Sequence, residues 1–131
     1  MPDTKTRPNK VATVIIPVAD QKAAVDVYTN KLGFTVLVDT PFGPEADAMH
    51  WIEVGREEGA TTIALAPPPP DYVITERETG ISLQVDDIDA YYAQLKDAGV
   101  DVDEQIQRMG DPVPPMFWFR DHANNSLMVV Q

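Results

Sequence analysis

The sequence has 131 residues, 44% of them hydrophobic, a length and composition that predict one compact domain or two half-domains sharing a core. Its formal net charge of −11 at pH 7 produces a surface that repels phosphate backbones and anionic lipid, so we expect neither nucleic acid nor a membrane as partner. It has no cysteine, no apolar run of membrane-spanning length and no apolar signal segment at its start, so we expect a cytoplasmic protein without disulfides or sulfur-ligated metal.

The chain begins with a predicted strand, a helix and a second strand. Residues 11–18 alternate in polarity, and Pro17 favours a position at a sheet edge or at a strand end. Asp20 is the predicted N-cap of a helix, and Gly33 supplies the left-handed residue that ends it. Residues 34–38 form the next predicted strand.

Two further strands are predicted over residues 49–54 and 61–65, on either side of a charged turn. Pairing Val54 with Thr61 sets their register and separates an apolar face from a semi-polar face. His50 then falls on the apolar face, where a core or edge role is the expected one. The semi-polar face carries Met49, Trp51, Glu53, Thr62 and Ala64.

After four consecutive prolines, which predict a stiff spacer, the same order of elements repeats. A strand is predicted over residues 80–85 and another over 101–107. The helix between them begins after Asp87 and ends at Gly99, which correspond to the cap and the glycine of the first helix. Such an internal repeat indicates one supersecondary unit used twice.

The chain ends with a predicted hairpin formed by Met116–Arg120 and residues 126–131. Pairing Arg120 with Ser126 again yields an apolar face and a mixed face. The mixed face carries Met116, Trp118, Arg120, Ser126 and Met128. Each half is therefore predicted to be a βαβββ unit with a semi-polar sheet face that bears a tryptophan, and a face of this kind favours ligand binding.

Three segments carry a family resemblance: the helix end KLGF, the segment VDDIDAYYAQLKDAGV and the terminal FRDHANNSLMVV. Together they resemble the vicinal oxygen chelate superfamily, the glyoxalase, bleomycin-resistance and extradiol-dioxygenase proteins. The resemblance implies an α+β fold of two tandem βαβββ modules whose sheets curl into half-barrels, and a homodimer. We expect a single domain over residues 1–131, with module one at 9–66, a proline-rich linker at 67–76 and module two at 77–131.

Enzymes of this superfamily generally hold a divalent metal through histidine and glutamate side chains. The resemblance places these positions at Thr13, Ala64, Gly80 and Met128, and none of these residues is a usual ligand for such a metal. We therefore expect no metal and no cofactor. His122 replaces the proline of the family's hairpin turn, where an exposed loop position is expected, and an unusual metal site at either histidine is left open.

Two functions remain open on the sequence alone. The first is a metal-free binding protein that holds a small planar or cationic molecule in a cup-shaped cleft, for resistance or sequestration. The second is an enzyme of the same superfamily, either metal-free with Glu53 as the catalytic acid or base, its pKa raised by desolvation, or a lyase or dioxygenase with displaced metal ligands.

In the binding hypothesis the tryptophans stack on the ligand, Glu53 supplies charge or a proton-transfer group and Arg120 is a donor facing an anion. The predicted ligand-binding residues are Thr13, Ile15, Trp51, Glu53, Ser82, Trp118, Arg120 and Met128.

Overall fold

Two four-stranded sheets, each with one helical segment, make up the fold. The structure, a computed structural model, describes residues 6–44, 49–71 and 77–131. The first half of the chain forms β1 (Thr13–Pro17), α1 (Gln21–Asp26), β2 (Thr35–Pro41), β3 (His50–Gly55) and β4 (Thr62–Ala66). The second half forms β5 (Arg77–Gln84), α2 (Ile88–Asp97), β6 (Asp101–Val102), β7 (Met116–Arg120) and β8 (Asn125–Val130).

The strand order is the same in both sheets, β1-β4-β3-β2 in one and β5-β8-β7-β6 in the other. In each, the first strand runs parallel to the last strand of its half, and the remaining neighbours are antiparallel. The predicted fold of two tandem βαβββ units with curled, open sheets is confirmed. The module boundaries stay a prediction, and residues 72–76 of the expected linker lie outside the described residues.

The first helix is less regular than its sequence predicts. The Asp20 side chain accepts a hydrogen bond from the backbone N–H of Ala23 (3.1 Å), as expected of an N-cap. After α1 the chain widens into a π-helical turn over Val27–Lys31. The Thr29 hydroxyl donates to the Val25 carbonyl (2.7 Å), and such a bond competes with the regular backbone ladder. Gly33 ends the helix with a φ of +93°, where a side chain would be strained.

The predicted pairing of β3 with β4 is wrong by two residues. The structure pairs Val54 with Ile63 and Glu53 with Ala64, instead of Val54 with Thr61. Because side chains alternate with a period of two, this shift leaves every side chain on the face that was predicted. The hydrophobic pattern alone therefore cannot distinguish the two registers.

The predicted pairing of β7 with β8 is confirmed, with Arg120 opposite Ser126 and Trp118 opposite Met128. The strand predicted over residues 101–107 is shorter, because the Asp103 carboxylate accepts the backbone N–H of Trp118 (2.9 Å) and ends the regular ladder. Asn124 has a φ of +62° in the β7–β8 turn, a conformation that asparagine tolerates better than most residues.

One continuous apolar core joins the two halves. Ile88 and Leu95 of α2 are fully buried, and Tyr91 of the same helix donates its hydroxyl to the Leu32 carbonyl (2.6 Å). Each sheet thus uses one face for this core and leaves the other available. Every helix in the described part of the chain is too short or too polar to cross a membrane.

Candidate ligand-binding site

We call the sheet face opposite the shared core the cup face of each sheet. On the first sheet, Thr13 and Ile15 lie on β1, while Trp51 and Glu53 lie on β3, all alternating with core residues. On the second sheet the cup face carries Ser82, Trp118, Arg120 and Met128. All eight predicted ligand-binding residues therefore lie on the expected faces, and their role in binding stays a prediction.

The first cup face contains a hydrogen-bonded network centred on Glu53. Trp51 Nε1 donates to Glu53 Oε2 (2.7 Å), and the Thr62 hydroxyl donates to Glu53 Oε1 (2.7 Å). Thr13 Oγ1 lies 2.8 Å from Thr62 Oγ1 and 3.5 Å from Glu53 Oε1. Because each hydroxyl has one proton and the 2.7 Å bond to Glu53 uses that of Thr62, Thr13 donates to Thr62. Thr62, which was predicted on this face but not in the site, is part of the network.

These hydrogen bonds determine the charge state of Glu53. The Thr62 hydroxyl, followed by the Trp51 N–H, holds the pKa of the Glu53 carboxyl below its usual value, and partial burial, which acts in the opposite direction, is outweighed. The expectation that desolvation raises the pKa of Glu53 is therefore wrong in direction, because donors to the charged form outweigh desolvation. Glu53 is a carboxylate at neutral pH, which removes it as a proton donor there and makes it a weak base.

Val38 of β2 and Phe42, which follows this strand, border the network. Val38 lies opposite Glu53 in the β2–β3 ladder, and Phe42 packs edge-on against Trp51 with ring centroids 6.4 Å apart. A cavity of about 250 Å³ adjoins the carboxylate, and its lining includes Thr13, Val38, Glu53 and Thr62. Sequence patterning missed Phe42, which follows the end of β2 and is largely exposed.

Arg120 on the second cup face is held by two acidic residues. Its Nε and Nη2 bond to the two carboxylate oxygens of Asp101 (3.2 and 2.9 Å), and its Nη1 bonds to Asp103 (2.7 Å). The guanidinium is therefore already neutralised, and the expected role as a donor facing an anion loses its support. The alternating acids of D-V-D at residues 101–103, beside the strand that carries Arg120, were the sequence signal for this pairing.

The two tryptophans are on separate sheets. Met128 connects Trp118 to Ser82, since it lies opposite both in the second sheet. Trp51 belongs to the Glu53 network of the first sheet. Within residues 6–44, 49–71 and 77–131, no hydrogen bond, ion pair or ring contact joins the two sets. The predicted ligand-binding residues of one chain thus form two separate sets, which we call the Trp51 half-site and the Trp118 half-site.

A larger cavity of about 670 Å³ lies on the core side of β1 and β5, with Val14, Leu83 and Tyr91 in its lining. Of the predicted site residues, its lining includes Ser82 alone. The Tyr91 phenol is already bonded to Leu32, and burial raises the pKa of Tyr91 to about 12, so it stays protonated. Its lining also includes Arg56, Thr61, Thr62, Thr79 and Gln84, but it contains neither tryptophan and not Glu53, so the cup faces remain the candidate site.

The residues at the superfamily's metal positions do not fit a metal. Thr13 uses its hydroxyl in the Glu53 network, while Ala64, Gly80 and Met128 have no oxygen or nitrogen in their side chains. His50 bonds through Nδ1 to the Asp39 carboxylate on the other face of the sheet. Among the described residues, no group of three or more histidine, aspartate or glutamate side chains is placed to hold a metal ion.

Paired βαβββ units with open, semi-polar cup faces define a class of proteins that includes both enzymes and binding proteins. A family model described as the Glyoxalase/Bleomycin resistance protein/Dioxygenase superfamily matches residues 10–129. The chain belongs to this superfamily.

Several relatives and solved structures are similar over nearly the whole chain. YetH, an uncharacterized protein of Bacillus subtilis (strain 168), is 30% identical over 92% of this chain and 96% of its own. A superfamily member from Sphaerobacter thermophilus is 31% identical with a TM-score of 0.82, covering 94% of this chain and 97% of its own. TnmS3, an antibiotic binding protein from Streptomyces sp. CB03234, is 28% identical with a TM-score of 0.78, covering 97% of this chain and 98% of its own.

Proposed function

We propose that this protein is a homodimeric, metal-free binding protein of the cytoplasm that holds a small planar or cationic molecule between its cup faces, for resistance or sequestration. The observation that carries the proposal is a half-buried tryptophan on each cup face, Trp51 and Trp118. Indole rings provide large, rigid surfaces for stacking on planar ligands. The similarity to TnmS3, an antibiotic binding protein, also supports the proposed binding function.

Enzymatic activity is the competing proposal, with Glu53 as the catalytic residue or with displaced metal ligands. The lowered pKa of Glu53 counts against an acid role, and the four superfamily metal positions offer no ligand set. Binding without turnover therefore agrees better with the chemistry of the cup faces.

The binding proposal is tested by a thermal-shift screen that sets planar aromatic compounds beside divalent metal ions. We expect planar compounds to raise the melting temperature, because ligands that bind only the native state stabilise it. For a compound that binds, Trp51→Phe and Trp118→Phe should each weaken affinity by about two- to tenfold, since stacking contributes roughly 0.5–1.5 kcal/mol beyond burial. Isothermal titration calorimetry measures these affinities.

Phe117→Leu is the matched control, because it changes a fully buried aromatic residue of the same strand as Trp118, whose ring packs on Tyr92 in the core. It should leave the affinity unchanged. A protein stabilised by a stoichiometric metal and by none of the planar compounds would contradict the binding proposal and favour the enzyme.

The homodimer is supported by the edges of β1 and β5, which pair with no further strand among the described residues. Strand β1 bonds to β4 through alternate residues, since Thr62 N donates to Ala12 O (3.0 Å) and Val18 N donates to Ala66 O (2.8 Å). The intervening Thr13 and Ile15 therefore direct their backbone groups to the open edge. In β5, which occupies the same edge of its sheet, Val85 N donates to Val130 O (2.9 Å), so the backbone groups of Gln84 are directed to the open edge. Exposed edges of this kind are templates for pairing with a second chain.

Pairing β1 of one copy with β5 of another would bring a Trp51 half-site to a Trp118 half-site. We expect light scattering to give twice the mass of the chain. Gln84→Pro removes the N–H that faces the open edge without removing a β5–β8 hydrogen bond, so it should shift the protein towards monomer. Gln84→Thr keeps the N–H and should remain dimeric. A wild-type monomer at micromolar concentration, or equal masses for the two variants, would contradict the edge pairing.

A further inference from the structure

The Glu53 carboxylate is fixed in place, yet its hydrogen-bonding capacity is only partly used. One oxygen accepts from Thr62 and the other from Trp51. A carboxylate has roughly four lone-pair positions, so each oxygen can accept another donor. Because both donors belong to strands of the same sheet, the carboxylate is oriented before any ligand arrives, which lowers the entropy lost on binding.

Within the part of the chain that the structure describes, no cation neutralises this carboxylate. Across the described ranges 6–44, 49–71 and 77–131, no ion pair joins Glu53 to a lysine, arginine or histidine. Lys10 lines the same cavity, but its ammonium donates to the Gly59 carbonyl (2.6 Å). Glu58 adds a second acidic residue to the lining. The cavity thus favours a positive charge over a negative one.

The second cup face has the same charge bias. Arg120 there is matched by two carboxylates, Asp101 and Asp103. Therefore none of the predicted ligand-binding residues provides an unneutralised positive charge on either cup face. A ligand with an anionic group would meet unfavourable potentials on both faces.

We propose that the cavity beside Glu53 is a subsite for a nitrogen cation carrying N–H groups, an ammonium or guanidinium head group attached to a planar body. This inference rests on the proposed binding function and specifies the ligand that it takes. The head group donates to the free lone pairs of Glu53, in a charge-assisted hydrogen bond. Trp51 donates its indole N–H to one oxygen of the same carboxylate and so holds the acceptor in place for the head group.

The size of the cavity supports a head group and not a whole ligand. Its volume of about 250 Å³ is below the roughly 300–1,000 Å³ that is typical of drug-sized sites. The planar body must therefore extend beyond it along the cup face, where Trp51 and Phe42 form an aromatic border. The lowered pKa of Glu53 keeps the carboxylate charged through the neutral range.

Three probes with the same ring and different head groups test this subsite. They are 2-(aminomethyl)naphthalene, a cation at neutral pH, the neutral 2-(hydroxymethyl)naphthalene and the anion 2-naphthoate. We expect the protein to bind the ammonium probe about tenfold or more tightly than the alcohol, and the anion most weakly, by isothermal titration calorimetry at low salt. Glu53→Gln should abolish the preference for the ammonium probe while leaving affinity for the alcohol nearly unchanged.

Glu58→Gln is the matched control, because it makes the same change in net charge in the lining of the same cavity. It should retain most of the preference, and Lys10→Met should retain or increase it. Melting temperatures and circular dichroism of all variants verify that they are folded.

Some results of these titrations would overturn the cation subsite alone, and others would overturn the planar binding site as well. If all probes bind with equal affinity, or if Glu53→Gln keeps the preference, the cation subsite is wrong and the planar site stands. If the preference is lost equally in Glu58→Gln, general electrostatics explain it and the subsite is again wrong. If no probe binds at millimolar concentration, the planar site and the subsite are both overturned.

Discussion

Asp121→Ala is expected to lower the free energy of unfolding by about 3 kcal/mol or more, the largest effect of any single polar substitution that we predict. Asp121 is only 5% exposed. Its carboxylate accepts the Tyr28 hydroxyl (2.8 Å), the Asn125 amide (3.1 Å) and the backbone N–H groups of Ala123 and Asn125 (both 2.9 Å). Alanine would leave these donors without their acceptor, and buried donors are costly to leave unpaired.

The Asp121 substitution also tests how the halves of the fold are joined. Asp121 follows β7, whereas Tyr28 belongs to the helical segment of the first half, so their bond links the last hairpin to the first unit. Urea denaturation at neutral pH measures the loss. Asp101→Ala is the control, because this exposed residue pairs with Arg120 at the surface and such pairs contribute about 0–1 kcal/mol. Equal losses in the two variants would contradict the role assigned to Asp121.

The sequence predicted the faces of the strands better than their register. Alternation placed Trp51 and Glu53 on one face and Trp118 and Arg120 on another, and the structure agrees. It could not separate the pairing of Val54 with Thr61 from the observed pairing with Ile63, because both satisfy the same alternation.

Contacts between distant parts of the chain could not be predicted from the hydrophobic pattern of the sequence. The Tyr28–Asp121 bond joins residues 93 positions apart, and the aspartate was recognised only as part of a hairpin motif. The direction of the Glu53 pKa shift depended on which donors reach the carboxylate. The predicted register already placed Thr62 on the same face as Glu53, so the error in the pKa came from leaving out the side-chain donors and not from the register.

Although Phe117 and Trp118 are neighbours, we expect Phe117→Ala to lower the stability of the protein much more than Trp118→Ala does. Phe117 is fully buried and packs edge-to-face on Tyr92, with ring centroids 5.0 Å apart. Removing it should cost about 3–5 kcal/mol of stability, because the ring leaves a cavity in the core. Trp118 is half-buried on the cup face, so its removal should cost only about 1–2 kcal/mol. Urea denaturation of both variants measures the difference.

For ligand affinity, we expect substitution of Trp118 to have a much larger effect than substitution of Phe117. Trp118→Ala should remove most of the affinity for any planar ligand that the screen finds, because stacking requires the ring on the cup face. Phe117→Leu, which keeps an apolar side chain in the core and preserves the fold, should bind that ligand like the wild type. Retained binding in Trp118→Ala would contradict the cup-face site. By strand alternation, Trp118 is the large aromatic side chain that β7 presents on the cup face.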